Sequence, residues 1–284
     1  MSGVLDTMKM KTYTVETWEE AKEALGDVDR ERKDMVKVPG ALRSAGGLLY
    51  RGQGNASWTL SPTLERTVQC PFTMAEYYEH IFKARSEIET FSGTRWDLMN
   101  PWDYAQWAGS APDIYWPPAR LREYEYMIYL RHHGFPSPLL DWSMSPYVAA
   151  FFAYRTAEKG ADKVALYCYL ENIGGGKVVD GPEASIYRTG RYARSHRRHF
   201  LQKCQYTLCW KRHDEALCYA SHEEAFERED VARDFLWKIE IPIRTATHAL
   251  KELDSMNVNA LSLIGSEDGL VETLATRQYR MNGV

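Results

Sequence analysis

The chain has 284 residues, of which 44% are hydrophobic and 13% aromatic, and its formal net charge is −4 with a pI near 6.1. This composition suits one large folded domain or two small ones and excludes a disordered chain. The net negative charge excludes a polycation that coats nucleic acid, so any anion site must be local.

Targeting and cysteine patterns predict a soluble, cytoplasmic protein without a metal centre. No apolar run reaches the roughly 18 residues needed to cross a bilayer, and the N-terminus lacks a signal-peptide pattern. Three cysteines lie near His213 and His222, but their spacing matches no paired zinc-ligand pattern. The cysteines form an odd set without a Cys-x-x-Cys pair, which suits a reducing compartment: Cys70, Cys168, Cys204, Cys209 and Cys218.

Local sequence patterns predict three regular elements and one irregular segment in the first 120 residues. Residues 17–25, TWEEAKEAL, predict a helix capped by its first threonine. Residues 46–52, GGLLYRG, predict a strand, and residues 73–91 predict a long helix with a capping box at its start. Residues 100–118 are rich in Trp, Pro and Tyr and predict an irregular segment.

Residues 131–154, RHHGFPSPLLDWSMSPYVAAFFAY, combine special turn residues with a strongly apolar helix. A preceding helix should end at Gly134, followed by a proline-stiffened connection and a short strand that presents Asp141. Ser143 or Ser145 should then cap the next helix. Two interpretations of this segment stay open. In the structural one, the serines cap a helix and Asp141 accepts a supporting hydrogen bond. In the functional one, the same segment brings an acid, a hydroxyl and an imidazole to the rim of one site.

The two histidines in this segment cannot both face inward from the same helix end. At most one of His132 and His133 is therefore a site residue.

The second half predicts an alternation of strands and helices. Residues 163–170 and 235–242 predict strands, residues 247–256 a helix, and residues 259–264, NALSLI, another strand. A final helix should begin around Gly269. Because no internal repeat or low-complexity linker occurs, the sequence predicts a single α+β domain with helical embellishments.

Three common cofactor and hydrolase motifs are absent. RGQGNAS lacks the third glycine of a dinucleotide fingerprint, and GGGKVV has Val178 where a P-loop needs Ser or Thr. No Gly-x-Ser-x-Gly elbow occurs.

Three local features remain candidates for chemistry, each with a structural alternative. Arg51 before Gly52 offers a guanidinium fork to a phosphate, or is an arginine on a solvated strand end. Residues 186–213 mix Arg and His with aromatics, which suits phosphates of a nucleotide or RNA, or a solvated surface. Glu267 and Asp268 are candidate acids, or they complement a helix dipole.

Five segments combine in a characteristic order: YRG at 50–52, WTLSPTLER at 58–66, HHGFPSPLLDWSMSPYVAAFFA at 132–153, FLQKCQYT at 200–207 and SEDGL at 266–270. Together, from about Leu48 to Leu274, they resemble the FRG domain family, named for its (F/Y)RG motif. The resemblance divides the chain into an N-terminal helical and polar segment, 1–45, and an FRG domain, 46–284.

The chain departs from the family's pattern at three places. Arg131 stands where the family usually has Gln, and Pro138 stands where it usually has Arg. Gly265 and Ser266 occupy the first two places of the last motif, which leaves Asp268 as its matched acid.

The motif order is similar to that of ADP-ribosyltransferases, which implies a split β-sheet core and NAD as substrate, with no metal. The catalytic residues implied are Asp268, Glu267, Arg51 and His132. The residues implied to bind NAD are Arg51, Gly52, Asp141, Ser143, Ser145 and Tyr147, and those implied to bind an acceptor are Arg194, Arg197, Arg198 and Gln205.

The resemblance therefore implies an enzyme that transfers ADP-ribose from NAD to a macromolecular acceptor, RNA or protein. Such an enzyme would suit a toxin or phage-defence effector with a neutralising antitoxin partner. Two alternatives stay open. One is a non-catalytic module that binds a nucleotide or nucleic acid, and the other is a metal-free hydrolase or nuclease that uses His132 and Asp141.

Overall fold

The fold is known from a computed structural model. It describes residues 10–36, 47–68, 72–109, 123–171, 181–189, 193, 197–227 and 234–282.

The strands within these residues are short to medium in length. They are β1 (Met10–Thr14), β2 (Leu49–Gln53), β3 (Phe72–Thr73), β4 (Leu140–Ser143), β5 (Lys163–Glu171), β6 (Ser185–Arg188), β7 (Cys204–His213), β8 (Ala216–Tyr219) and β9 (Asp234–Pro242).

The helices of the described residues include no segment long and apolar enough to cross a membrane. They are α1 (Trp18–Val36), α2 (Met74–Ser92), α3 (Pro101–Gly109), α4 (Tyr124–His132), α5 (Pro146–Arg155), α6 (Arg197–Leu201), α7 (His222–Glu227), α8 (Ala246–Ser255), α9 (Ala260–Ile264) and α10 (Glu267–Ala275). A 3-10 turn spans Ile243–Thr245, and a π-helical turn spans Thr276–Arg280.

The strands form one mixed sheet in the order β1-β9-β5-β2-β4-β7-β8-β3, with β6 paired to β7. β1 runs parallel to β9, and the other pairs are antiparallel. The α+β class predicted from the sequence is confirmed. The similarity to ADP-ribosyltransferases implied a split sheet, with two separate halves. In the structure the two halves are joined into one continuous sheet through the pairing of β2 with β4.

The join between the two halves is narrow. β2 pairs with β5 through five residues, from Leu49 to Gln53, but it pairs with β4 only through Tyr50 and Ser143. Beyond that pair the two strands make no further ladder contacts, so their side chains can line an opening in the sheet. This opening holds the candidate site.

Helix α5 packs directly on β2, and glycine makes this contact possible. A Cβ on Gly52 would lie 1.9 Å from the carbonyl oxygen of Ala149, and one on Gly54 would lie 1.8 Å from that of Thr156. Residues two apart on a strand share one face, so the RGQG sequence presents two bare positions to the helix. Gly52 is therefore required by helix packing.

Hydrophobic cores cover both halves of the sheet. α1, α5 and α8 pack with β5 and β9, and their shared core includes the fully buried Trp18 and Tyr154. α2, α3 and α4 pack with β7 and β8 around aromatic side chains, where Tyr78 stacks on Tyr104 with 3.6 Å between ring centroids. Aromatic rings bury large apolar areas, which explains the high aromatic content.

Two secondary-structure predictions were wrong. NALSLI is helical because Asn259 and Ser262 form a capping box, while Ala260 and Leu263 bury one face. Part of the region predicted to be irregular is α3, since Pro101 fits a first helical turn and the Asn100 side chain accepts from the Asp103 backbone amide at 3.0 Å. In both places a short helix depends on its cap, which hydrophobic periodicity does not reveal.

Several turn predictions are confirmed. Thr73 and Glu76 form the predicted capping box at the start of α2. Gly134, with φ +87°, follows α4 in the left-handed region, and Ser145 caps α5 through the backbone amide of Val148. The last helix begins at Glu267, slightly before the predicted Gly269.

The N-terminal segment belongs to the same sheet. β1 pairs with β9 from Met10 to Thr14, and the indole of Trp18 donates to Glu252 at 2.9 Å. The proposed boundary between residues 45 and 46 lies outside the described residues.

Candidate functional site

A cavity of about 370 Å³ opens where β2 and β4 diverge. A smaller cavity of about 40 Å³ shares its inner wall and is also lined by Ser143 and Gln202. The larger cavity, called the Arg51 cavity below, is lined by Arg51, Gly52, Gln53, Trp58, Thr59, Ser61, Arg66, Asp141, Phe152 and Thr156.

Arg51 bridges the gap between the two strands. Its Nη1 donates to both the carbonyl oxygen and the Oδ1 of Asp141, each at 2.8 Å. Its side chain is only 12% exposed, and its buried Nε has no hydrogen-bond acceptor among the described residues. A buried donor without an acceptor costs about 1–3 kcal/mol, which a ligand oxygen could recover.

Asp141 is shared between two arginines. Its carboxylate also accepts a hydrogen bond from Nη2 of Arg131, whose Nη1 donates to Thr63 at 3.0 Å. Desolvation raises the pKa of Asp141, but the charges and hydrogen bonds of Arg51 and Arg131 outweigh it and hold that pKa far below its ordinary value. Asp141 is therefore a fixed anion that orients Arg51 and cannot serve as a base near neutral pH.

This pairing predicts how acid affects stability. Asp141→Asn should lower the free energy of unfolding by about 1–2 kcal/mol at pH 7, because Arg51 and Arg131 lose the carboxylate that they share. The loss is modest because that carboxylate is partly exposed to solvent. The pKa of Asp141 is lower in the folded protein than in the unfolded chain, where it is about 3.9. Asp141 therefore stabilises the fold fully above the pKa of the unfolded chain, and this stabilisation is lost as the pH falls toward the pKa of the folded protein.

Denaturant unfolding from pH 3 to 8 would check this. The difference between the wild type and Asp141→Asn should stay constant from pH 8 to about 5 and shrink below 4. A difference that disappears between pH 5 and 7 would contradict the depressed pKa.

Arg66 adds a second cation to the cavity wall. It makes no ion pair with any described residue, and its pKa is lowered first by desolvation and then by the positive charges of Arg51 and Arg131. In the sequence, Arg66 stands out only as the last residue of the WTLSPTLER motif. Its position four residues after Pro62 was the sequence feature that could have marked it as a site residue.

The remaining walls offer aromatic and hydroxyl groups on a fixed backbone. Trp58 and Phe152 line the cavity, and the carbonyl of Trp58 accepts from the Tyr167 hydroxyl at 3.3 Å. The Gln53 amide donates to the carbonyl of Thr59 at 3.0 Å, which fastens the loop to β2. The loop that follows β2 is therefore held in place before any ligand binds.

The serines predicted to bind NAD have structural partners. Ser143 Oγ donates to the carbonyl of Gln202 at 2.8 Å and accepts from the backbone amide of Ser145 at 3.1 Å. Ser145 caps α5, and Tyr147 packs against the core beneath that helix. Ser143 alone of these three lines the smaller cavity.

The two histidines separate as predicted. His132 lies at the end of α4, and its Nε2 is 2.9 Å from the hydroxyl of buried Tyr206. His199 Nδ1 lies 3.3 Å from the same hydroxyl. His133 is exposed and contacts the Tyr129 carbonyl at 2.7 Å. His132 therefore belongs to a hydrogen-bonded group beside the Arg51 cavity and is not part of its lining.

Neither candidate acid lines the Arg51 cavity. Glu267 and Arg197 line an open groove of about 640 Å³ between α6 and α9. Asp268 is exposed in the first turn of α10 and lines neither this groove nor the Arg51 cavity. Gln202 lines the smaller cavity, and its amide donates at 3.1 Å to the Leu263 carbonyl in α9, a helix that also lines the groove.

The predicted acceptor residues are dispersed. Arg197 is exposed on α6, and Arg198 on the same helix is half-buried. Gln205 is 1% exposed and accepts from Arg188 Nε at 3.3 Å, so its side chain faces the interior. Arg194 lies outside the described residues.

One group of described side chains has metal-ligand geometry. Glu19, His248 and Glu252 bring three ligand atoms within 4.8 Å of one another at the surface, although Glu252 already accepts from Lys22. The described cysteines Cys168, Cys204, Cys209 and Cys218 are buried.

Comparison with known proteins identifies a domain family. Residues 46–162 match the family model of the FRG domain. No curated protein and no solved structure matches the chain. Every residue that lines the Arg51 cavity falls inside the matched range, whereas Arg197, Glu267 and Asp268 fall outside it.

Proposed function

Because the chain contains an FRG domain over residues 46–162, we propose that its Arg51 cavity binds NAD and that the protein transfers ADP-ribose to a macromolecular acceptor. The sheet would then be a variant of the ADP-ribosyltransferase fold. The narrow join between β2 and β4, a single residue pair beside the cavity, supports this relationship.

The observation that supports NAD binding best is the chemistry of the Arg51 cavity. It combines Arg51 and Arg66 with the aromatic rings of Trp58 and Phe152 and the hydroxyls of Thr59 and Ser61. Guanidinium groups bind phosphate oxygens, aromatic rings accept bases, and hydroxyls bind ribose. The volume of about 370 Å³ lies in the usual range for small-molecule sites, roughly 300–1,000 Å³.

The proposed reaction needs a carboxylate near the nicotinamide ribose. The bond between C1′ and the ring nitrogen breaks, its electron pair leaves with neutral nicotinamide, and an acceptor nucleophile bonds to C1′ and releases a proton to solvent. Positive charge develops on the ribose during this step, so a nearby carboxylate stabilises the transition state. Asp268 and Glu267 are the proposed acids. Glu267 lines the groove beside α9, and Gln202 of the smaller cavity donates a hydrogen bond to the Leu263 carbonyl in that helix.

The acceptor is proposed to be RNA or a protein that contacts the basic α6. Arg197 and Arg198 supply positive charge there in a chain whose net charge is negative. A toxin or phage-defence role, with a neutralising antitoxin, is the biological setting that we propose.

Two observations favour the alternative of a non-catalytic nucleotide-binding module. Asp141, the carboxylate that lines the Arg51 cavity, is held by Arg51 and Arg131 and is not available as a base. Asp268 does not line the cavity. Binding without turnover would suit this arrangement.

An assay of nicotinamide release would separate the two functions. We expect the wild type to release nicotinamide from NAD, and Asp268→Asn to slow release by about 10²- to 10³-fold, as for loss of one group that stabilises transition-state charge. Glu267→Gln tests the neighbouring acid. Glu79→Gln, an exposed acid paired with Lys83 on α2, is the control and should have no effect.

Three outcomes would change the assignment. NAD binding without nicotinamide release would favour the binding module. Release that survives both acid substitutions would remove Asp268 and Glu267 from the mechanism. RNA cleavage without NAD, lost in His132→Gln, would favour a nuclease.

A further inference from the structure

We infer that the Arg51 cavity is a diphosphate-class anion site, in which Arg51 and Arg66 bind a ligand group that carries two negative charges. Arg131 is the positioning residue that makes this possible by neutralising Asp141. The inference rests on the binding part of the proposed function and is independent of turnover.

The charge balance of the cavity supports two negative charges on the ligand. Arg51 and Arg131 share the one carboxylate of Asp141, which leaves a net charge of about +1 on the three groups. Arg66 has no ion-pair partner among the described residues. The repulsion that it feels from the other two arginines outweighs the attraction of Asp141 and Glu65. Cations held together without enough counter-charge cost free energy, and a bound dianion removes that cost.

The hydrogen bonds of Arg51 leave its ligand-binding edge available. All its hydrogen bonds to described residues leave from Nη1, and both end on Asp141. Its Nε–H has no acceptor in the described residues. Nε–H and one Nη2–H form the parallel pair of donors that matches two phosphate oxygens. Asp141 thus fixes one end of the guanidinium, and the other edge remains for an oxyanion.

Arg131 acts from behind the cavity. Its side chain is 15% exposed, it is fixed by Thr63 and Asp141, and it does not line the cavity. Without Arg131, Asp141 and Arg51 would form a neutral pair, and the attraction of the cavity for an anion would fall to that of Arg66 alone. Arg131 therefore determines how much charge Arg51 presents to a ligand.

Calorimetric titration of the full chain at pH 7.5 with ADP-ribose, AMP, adenosine and inorganic pyrophosphate tests this site. We expect ADP-ribose to bind at least about 10-fold more tightly than adenosine. Arg66→Gln should weaken binding of ADP-ribose and pyrophosphate by about 10- to 100-fold and leave adenosine unchanged. Arg30→Gln, which removes an exposed arginine paired with Asp27 on α1, is the control and should have no effect.

A separate comparison distinguishes positioning by Arg131 from a purely structural role. Arg131→Gln should weaken pyrophosphate binding about 5- to 30-fold without affecting adenosine, and Arg131→Lys should restore most of the loss because it returns the charge. Equal weakening for pyrophosphate and adenosine, or no rescue by lysine, would overturn the role of Arg131. Unchanged pyrophosphate affinity in Arg66→Gln would overturn the dianion site.

The same titrations identify the source of the two charges. Tighter binding of ADP-ribose than of AMP indicates the internal diphosphate of a dinucleotide, whereas the reverse indicates a terminal phosphomonoester; both outcomes support the dianion site. Since none of these ligands contains nicotinamide, the site can be confirmed even when NAD is not consumed. Failure of the transferase proposal and failure of this inference are therefore separate results.

Discussion

Arg51→Ala should lower the affinity for NAD and ADP-ribose by about 100-fold or more, the largest effect of any substitution that leaves the chain folded. The substitution removes the donor edge that lies at the opening between β2 and β4, and two or more charge-assisted hydrogen bonds are lost with it. Arg51→Lys should retain the charge but lose the planar fork, and we expect about a 10-fold loss.

Thermal melts must accompany these titrations, because Arg51 also links β2 to the backbone of β4. We expect Arg51→Lys to melt close to the wild type, and Arg51→Ala to lose about 1–3 kcal/mol of unfolding free energy. Arg277→Ala, which removes an exposed arginine paired with Asp254, is the matched control. If Arg51→Ala is folded and binds NAD normally, the ligand site lies elsewhere.

Gly52→Ala should destabilise the protein by more than about 3 kcal/mol and lower the melting temperature by about 10 °C or more. The new Cβ would lie 1.9 Å from the Ala149 carbonyl oxygen and 2.6 Å from the Ala153 nitrogen. Both are backbone atoms of α5, so no side-chain rotation relieves the overlap, and the helix must move away from β2.

Gly47→Ala is the control for this substitution, since a Cβ there meets no atom within 4 Å. Circular dichroism melts and the soluble yield of the two variants would measure the difference. A Gly52→Ala protein that melts within 2–3 °C of Gly47→Ala would show that α5 does not pack so closely on β2.

Local sequence signals predicted much of the fold. The capping box of Thr73, the left-handed Gly134 and the Ser145 cap each depend on one or two residues close in sequence, so they could be read directly. Asn259 forms an equally local cap, yet NALSLI was predicted as a strand because six residues are too few for periodicity to separate helix from strand.

The candidate site was only partly predictable for a different reason. Arg51 and Asp141 were identified from their motifs, and they meet across 90 positions of sequence. Arg131 and Arg66 were recognised as motif positions but not as members of the same charge cluster, because their proximity depends on how α4 and the loop after β2 pack on the sheet. Their roles follow from tertiary contacts alone.

The single-pair join between β2 and β4 also bears on how the molecule tolerates sequence change. Each of these strands has its long ladder with a partner beyond residue 162: β2 with β5, and β4 with β7. The spacing of Arg51 from Asp141 is therefore set by strands that contribute no side chain to the Arg51 cavity. We expect substitutions in β5 and β7 to change ligand affinity as well as stability. Residues 46–162 and the strands that follow them should therefore evolve together.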